Sequence, residues 1–220
     1  IGLAAFGAFL ARTPAKLAGV DRWRGQWRER SAIAARIAAV ELVVIILFVV
    51  VATIFVGFRW WIPVAIAAPL VTIELWYDLR SRSRRLIPEL CGAVGVAAAA
   101  AAIVLAAGDD YPLAFAAWLV LAARAVMTIP FVRAQIMRAR RGITETRGSD
   151  AAQAIGLAVA AVAVVIEPVV WPVAALLVLF AAAEMWWVRR DPQAVRVIGF
   201  RQMGLGFAVV LATAIGVWIA

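Results

Sequence analysis

Long apolar runs of about twenty residues alternate with short, strongly basic segments along the whole chain. A helix of about twenty residues is ~30 Å long, which matches the hydrocarbon core of a bilayer. This alternation predicts an all-α fold, a polytopic transmembrane helical bundle organised as a single integral membrane domain over residues 1–220. The complete spans are predicted at about 37–57, 62–77, 89–108, 113–132, 151–166, 172–188 and 197–220.

The first apolar run, residues 1–11, is too short to cross a bilayer, since a helix of that length extends only ~16 Å. It also lacks the basic segment with which a signal peptide begins. We therefore expect this run to be the end of a truncated first span, which adds an eighth span to the seven complete ones.

Charge is concentrated between the apolar runs. The chain has 22 Lys and Arg against 13 Asp and Glu, although 66% of its residues are hydrophobic. Because basic loops of membrane proteins stay in the cytoplasm, we predict that segments 12–36, 78–88, 133–150 and 189–196 are cytoplasmic loops. Membrane lipids are the expected partners. Nucleic acid is not, because it requires a basic face on a soluble fold.

Composition restricts the chemistry that is available to the chain. There is no His and a single Cys, Cys91, which rules out an intramolecular disulfide and disfavours zinc, haem and copper sites of the usual kinds. We therefore expect no metal and no cofactor, and the sequence identifies no catalytic residue.

Polar side chains inside the spans are the candidate ligand-binding groups, because ionisable residues in a membrane commonly mark functional sites. The candidates are Glu41, Glu74, Asp78, Glu89, Arg124, Glu184, Arg201 and Gln202. We predict that Glu41, Glu74, Arg124 and Glu184 face one polar cavity open to the cytoplasm, with Arg124 deepest at ~12 Å. The alternative is structural: groups near the interface snorkel or pair with arginines, and Arg124 pairs with a glutamate.

A second set of candidates would bind an anionic headgroup. In segment 22–30, RWRGQWRER, Trp23 and Trp27 are four residues apart and would share one face of a helix, surrounded by arginines. This pattern is typical of an anchor at the membrane interface and also fits a gate that holds an anionic ligand. The headgroup candidates are Arg22, Arg24, Arg133 and Arg138. The expected ligand is therefore an anionic or amphipathic small molecule.

Three stretches carry a resemblance to a known family: SRSRRLIPELCGA (81–93), AAWLVLAARAVMTIPFVRAQI (116–136) and DPQAVRVIGFRQMGLG (191–206). On these stretches the chain resembles the YwiC-like family of bacterial integral membrane proteins over essentially its whole length. The resemblance implies an architecture and a location in the bacterial inner membrane rather than a reaction. The usual N-terminal His-Gly-Ala-Trp segment of the family does not occur in this chain, in line with the expected truncated start.

A fainter similarity is to UbiA-type intramembrane prenyltransferases, whose second acidic motif has the rhythm of VRAQIMRARRGITET (132–146). Arg133, Gln135 and Arg138–Arg140 stand where aspartates of that family would hold Mg²⁺ on a diphosphate, which argues against metal-dependent prenyl transfer. A UbiA-like transferase acting on a lipid or isoprenoid substrate is the alternative function. A small-molecule transporter is the second alternative, and the scarcity of acidic residues in the outer halves of the spans argues against proton coupling.

Overall fold

The computed structural model describes residues 1–80 and 85–219, and within these ranges all regular structure is helical. The helices are α1 (Gly2–Trp23), α2 (Glu29–Val56), α3 (Trp61–Leu79), α4 (Leu86–Ala107), α5 (Tyr111–Arg141), α6 (Arg147–Ile166), α7 (Trp171–Trp187) and α8 (Val195–Trp218), with a 3-10 helix at Pro168–Val170. Arg82 and Arg84, which belong to the predicted basic segment 78–88, lie outside the described residues.

Among the described residues, seven helices are long and apolar enough to cross a membrane, and these are α2 to α8. The predicted all-α class with seven complete spans is therefore confirmed. Helix α1 does not belong to this set, because Arg12 and Lys16 interrupt its apolar sequence.

The prediction that residues 12–36 form a loop is wrong, since α1 continues to Trp23 and α2 begins at Glu29. Alanine, leucine, arginine and lysine all have high helix propensity, so the change from apolar to basic residues does not end a helix. Trp23 is the last residue of α1, whereas Trp27 lies in the connection before α2. The two indoles therefore do not share a helix face, and that prediction is also wrong.

The predicted loop 133–150 is mostly helical as well. Helix α5 has 31 residues and is ~46 Å long, so it extends well beyond the thickness of a hydrocarbon core. It ends at Arg141, where Gly142 adopts a left-handed conformation with φ +66° that favours glycine. Helix α6 starts only five residues further on, at Arg147. The basic residues of this segment are therefore positioned on helices.

Residues 1–110 form the first of two compact units. In this unit α1 packs along α2 and α3 packs along α4, and α1 also contacts α3 and α4. Helix α4 buries a face of small residues, which permits close approach of helix backbones in lipid. This face consists of Gly92, Gly95, Ala98, Ala101 and Ala102.

Residues 111–220 form the second unit, in which α5, α6, α7 and α8 surround an apolar core. Its buried members are Ala116, Val120, Ala123, Met127, Ala160, Ala163, Val170, Val173, Leu177, Phe180, Ala181 and Val209. Close packing of α5 on α6 depends on Gly156: a Cβ there would overlap the Met127 side chain and lie 3.0 Å from the carbonyl oxygen of Ala123. The single domain predicted for residues 1–220 stays a prediction.

Replacing Gly156 with alanine should destabilise the second unit by about 1–3 kcal/mol, because the added methyl group overpacks the contact between α5 and α6. The measurement is the midpoint of thermal unfolding of the purified protein in detergent. Gly148→Ala on the same helix is the control, since a Cβ at position 148 meets nothing within 4 Å. Equal midpoints for the two variants would contradict the prediction.

Candidate functional site

The second unit contains a buried ion pair between Arg124 on α5 and Glu184 on α7. The Nη1 atom of Arg124 donates to Oε1 of Glu184 at 3.0 Å, and it also donates to the hydroxyl of Thr128, one helical turn further along α5. Glu184 is fully buried and Arg124 is 7% exposed. This is the structural Arg–Glu pair that the sequence offered as the alternative to ligand binding by Arg124.

Two glutamines complete the hydrogen bonding of the Glu184 carboxylate. Gln153 on α6 donates through Nε2 to Oε2 at 2.9 Å, and Gln202 on α8 donates through Nε2 to Oε1 at 3.0 Å. Arg124 also donates to Oε1 of Gln202. One carboxylate therefore connects all four helices of the second unit. A buried charge is tolerated only when it is paired and hydrogen-bonded in this way.

Gln153 was missed by the sequence reasoning, although it is 1% exposed and central to this network. Its Nε2 group also donates to the carbonyl oxygen of Met127 at 3.2 Å. The available signal was an amide at the start of the apolar part of α6, and in a membrane such a group normally requires a partner on another helix.

Arg201 lies beside this network and contacts aromatic rings. Its guanidinium carbon is 3.8 Å from the ring centroid of Trp187 and 5.8 Å from that of Phe131. A guanidinium over an aromatic face is stabilised by the ring quadrupole, especially where water is scarce. Gln135 of α5 donates to the carbonyl oxygen of Trp187 at 2.9 Å, so it belongs to the same region.

The first unit has a separate polar network between α1 and α3. Asp78 accepts from Nε of Arg12 and from Nζ of Lys16, each at 3.0 Å, and the Arg12 guanidinium is 2.5 Å from a Glu74 carboxylate oxygen. Glu74 and Asp78 therefore project from the same face of α3, as their spacing of four residues predicts. Sequence reasoning missed Arg12 and Lys16 as partners because it placed them in a loop.

Space for the Glu74 side chain comes from Gly92 on α4. A Cβ at position 92 would overlap the Glu74 carboxylate. Any larger residue would therefore push the end of the Glu74 side chain away from its position beside Arg12. The small face of α4 thus serves the polar network as well as helix packing.

A cavity of about 330 Å³ opens where α1 and α3 end. It is lined by Trp23, Arg24, Leu79 and Arg80, and none of these described lining residues is acidic. The Arg80 guanidinium is 4.1 Å from the ring centroid of Trp76, so the stacked indole restricts its position. Arginines at helix C-termini also interact favourably with the helix dipole.

The connection that carries Arg24 is held by Asp21, which is 5% exposed. Ser31 at the start of α2 donates to the Asp21 carboxylate at 2.6 Å, and Nε of Arg30 lies 3.4 Å from it. The Ser31 hydrogen bond, followed by the charge of Arg30, holds the pKa of Asp21 below its ordinary value and outweighs the opposite effect of burial. These contacts fix the end of α1 against the start of α2.

The remaining candidates are dispersed. Glu41 on α2 is half-buried, and its Oε2 atom has no hydrogen-bond partner within the described residues. Glu89 lies in the first turn of α4 and is half-buried. Arg22 is exposed and does not line the cavity, and Arg133 is half-buried on α5. The single cavity expected for Glu41, Glu74, Arg124 and Glu184 stays a prediction, since the first two belong to one unit and the last two to the other.

Part of the chain is similar to a known protein family. The model of a family described as YwiC-like protein matches residues 1–105. No curated protein and no solved structure matches the chain. The resemblance recognised in the sequence is therefore confirmed for residues 1–105, which include the stretch 81–93. Together with the seven apolar helices, the match shows a multi-pass membrane protein.

Replacing Glu184 with leucine should destabilise the second unit by about 3–5 kcal/mol, because Arg124 is then a buried charge without its counter-ion. Replacing both Arg124 and Glu184 with leucine should recover a large part of that loss. The measurement is a double-mutant cycle from unfolding in detergent.

The control for this cycle is the ion pair between Arg189 and Asp150, whose side chains are 51% and 25% exposed and whose atoms are 2.8 Å apart. An exposed pair of this kind contributes up to about 1 kcal/mol. A coupling energy for Arg124 and Glu184 no larger than that of the control pair would contradict the proposed role of the buried pair.

Asp21 should make the stability of the chain depend on pH. A carboxylate whose pKa is lowered in the folded state stabilises that state above its unfolded pKa of about 3.9, and this contribution is lost as the pH falls through the folded pKa. Asp21→Asn should therefore lower the unfolding temperature at pH 7, and the difference from wild type should shrink below pH ~3.9. Asp191→Asn, an exposed position between α7 and α8, is the control. A difference that persists undiminished in acid would contradict the prediction.

Proposed function

We propose that this multi-pass membrane protein, whose residues 1–105 match the model of the YwiC-like family, binds an anionic amphipathic small molecule. The headgroup of the ligand occupies the cavity formed by Trp23, Arg24, Leu79 and Arg80. The observation that carries the proposal is this cavity of about 330 Å³, which has two arginines among its four described lining residues.

The charges around the cavity favour an anion. Nearby on α3, Asp78 is already paired with Arg12 and Lys16, and Glu74 is paired with Arg12. These acids are therefore neutralised within the first unit. Hydrogen bonds from guanidinium groups to carboxylate or phosphate oxygens are charge-assisted and roughly twice as strong as neutral ones.

The apolar part of the cavity wall favours an amphipathic ligand. Trp23 is 66% exposed, and Leu79 is 38% exposed on the same rim. Indole rings concentrate at the depth of lipid headgroups, where one edge meets water and the other meets hydrocarbon. An amphiphile would place its charged group on the arginines and its chain along Trp23 and Leu79.

The side of the membrane follows from the same basic residues. Lys and Arg are concentrated at the ends of α1, α3 and α5, and such ends remain in the cytoplasm when a membrane protein is inserted. The proposed site therefore opens to the cytoplasmic leaflet of a bacterial inner membrane, whose anionic lipids attract basic segments.

The proposal predicts a preference for phosphatidate over phosphatidylcholine with identical acyl chains, measured by native mass spectrometry of the purified protein. Arg24→Gln and Arg80→Gln should each weaken phosphatidate binding about tenfold, since one charge-assisted hydrogen bond contributes about 1.5–3 kcal/mol. Analysis of lipids that copurify with the wild-type protein would identify the natural ligand.

Arg22→Gln is the matched control. Arg22 lies on the same turn of α1 as Trp23 but is exposed and outside the cavity wall. The Arg22→Gln variant should bind phosphatidate as tightly as the wild-type protein does. An equal loss in Arg22→Gln, or equal binding of phosphatidate and phosphatidylcholine by the wild type, would refute the proposed site.

A further inference from the structure

We infer that the second unit holds a separate binding site for a phosphate ester that also carries a hydroxyl group. The site is formed by Gln135, Arg138 and Arg201 around Trp187. It does not rest on the proposed function, because it shares no residue with the cavity of the first unit.

Contacts with Trp187 bring two of the three polar residues together, and the third is placed beside them by its position on α5. Arg201 of α8 stacks 3.8 Å from the Trp187 ring centroid, and Gln135 of α5 donates to the Trp187 carbonyl oxygen at 2.9 Å. Arg138 lies three residues after Gln135 on α5 and therefore on the same side of that helix. Phe131, one turn earlier on α5, also lies under the Arg201 guanidinium.

Each of these residues presents a buried atom that has no hydrogen-bond partner within the described part of the chain. The atoms are the Nε donor of Arg201, the Nη1 donor of Arg138 and the Oε1 acceptor of Gln135. Gln135 is only 2% exposed, and its amide nitrogen is already committed to Trp187. Buried polar groups are almost always hydrogen-bonded, and lipid supplies no partners.

The chemistry of the three atoms defines the ligand. Two guanidinium donors require anionic acceptor oxygens, and the Gln135 oxygen requires a donor. A carboxylate or a fully ionised phosphate supplies acceptors alone and would face the Gln135 oxygen with a like partial charge. A phosphate ester with a free hydroxyl group satisfies all three atoms, because its phosphate oxygens accept and its hydroxyl donates.

The location suits such a headgroup. Arg138 is in the last turn of α5, and Arg201 lies in the second turn of α8, which starts at Val195. Both arginines are half-buried, whereas Gln135 is almost fully buried. A phosphatidylglycerol headgroup and a free glycerol phosphate share the required chemistry.

The test compares phosphatidylglycerol with phosphatidylmethanol, which has the same phosphodiester charge and no hydroxyl group, by native mass spectrometry of the full chain. Wild type should bind phosphatidylglycerol about tenfold more tightly, the usual effect of one satisfied buried group. Arg138→Gln and Arg201→Lys should weaken the binding of both lipids, whereas Gln135→Leu should remove the preference and leave phosphatidylmethanol binding unchanged.

A displacement experiment distinguishes the two sources of the ligand. Displacement of the lipid by millimolar glycerol 3-phosphate would indicate that the natural ligand is a free phosphate ester, and resistance to displacement would indicate a lipid.

Two exposed arginines on the same helices provide controls, Arg140→Gln on α5 and Arg196→Lys on α8. Both should behave as wild type, and the Arg24 and Arg80 variants of the first unit should also leave the preference unchanged. Equal binding of the two lipids by the wild-type protein would overturn the inference. So would a Gln135→Leu variant with normal unfolding temperature that keeps the preference.

Discussion

A carboxylate that is withdrawn from water into a bilayer must be matched by hydrogen-bond donors, and Glu184 is where this constraint acts most strongly. It is fully buried, and donors from the three other helices of its unit converge on it. The surrounding core is built largely of alanine and valine, whose shapes allow many alternative packings. We infer that the carboxylate selects one of these packings, because a different rotation of any helix would separate it from a donor.

In the first unit, buried carboxylates are also matched by hydrogen-bond donors, but the donor side chains are less buried. Asp78 and Glu74 are buried, but the side chains of Arg12 and Lys16 that neutralise them are 36% and 35% exposed. Those cations therefore keep part of their hydration while pairing, which lowers the desolvation cost of the network. An anion-binding site also requires that nearby acids are neutralised, as they are here beside the two arginines of the cavity. In this unit the structural pairing and the proposed binding function support each other.

The sequence predicts features that depend on residues close together along the chain better than features that depend on contacts between distant residues. Spans α2 to α8 follow from long apolar runs, and the shared face of Glu74 and Asp78 follows from their spacing. The ends of the helices cannot be predicted from hydropathy, because hydropathy marks only where the membrane ends. Arginine-rich sequence can continue as helix beyond that boundary, as α5 does to Arg141. Pairing of Gln153 with Glu184 could not be foreseen, since it depends on how helices assemble in space.

The order of the chain gives the buried ion pair a consequence during synthesis. Arg124 and Glu184 are 60 residues apart. At about 5–20 residues per second, Arg124 is synthesised ~3–12 s before its counter-ion. An unpaired arginine at the centre of a membrane-spanning helix costs about 2.5–3.5 kcal/mol on the translocon scale. Helix α5 therefore carries this cost until α7 arrives and supplies the counter-ion.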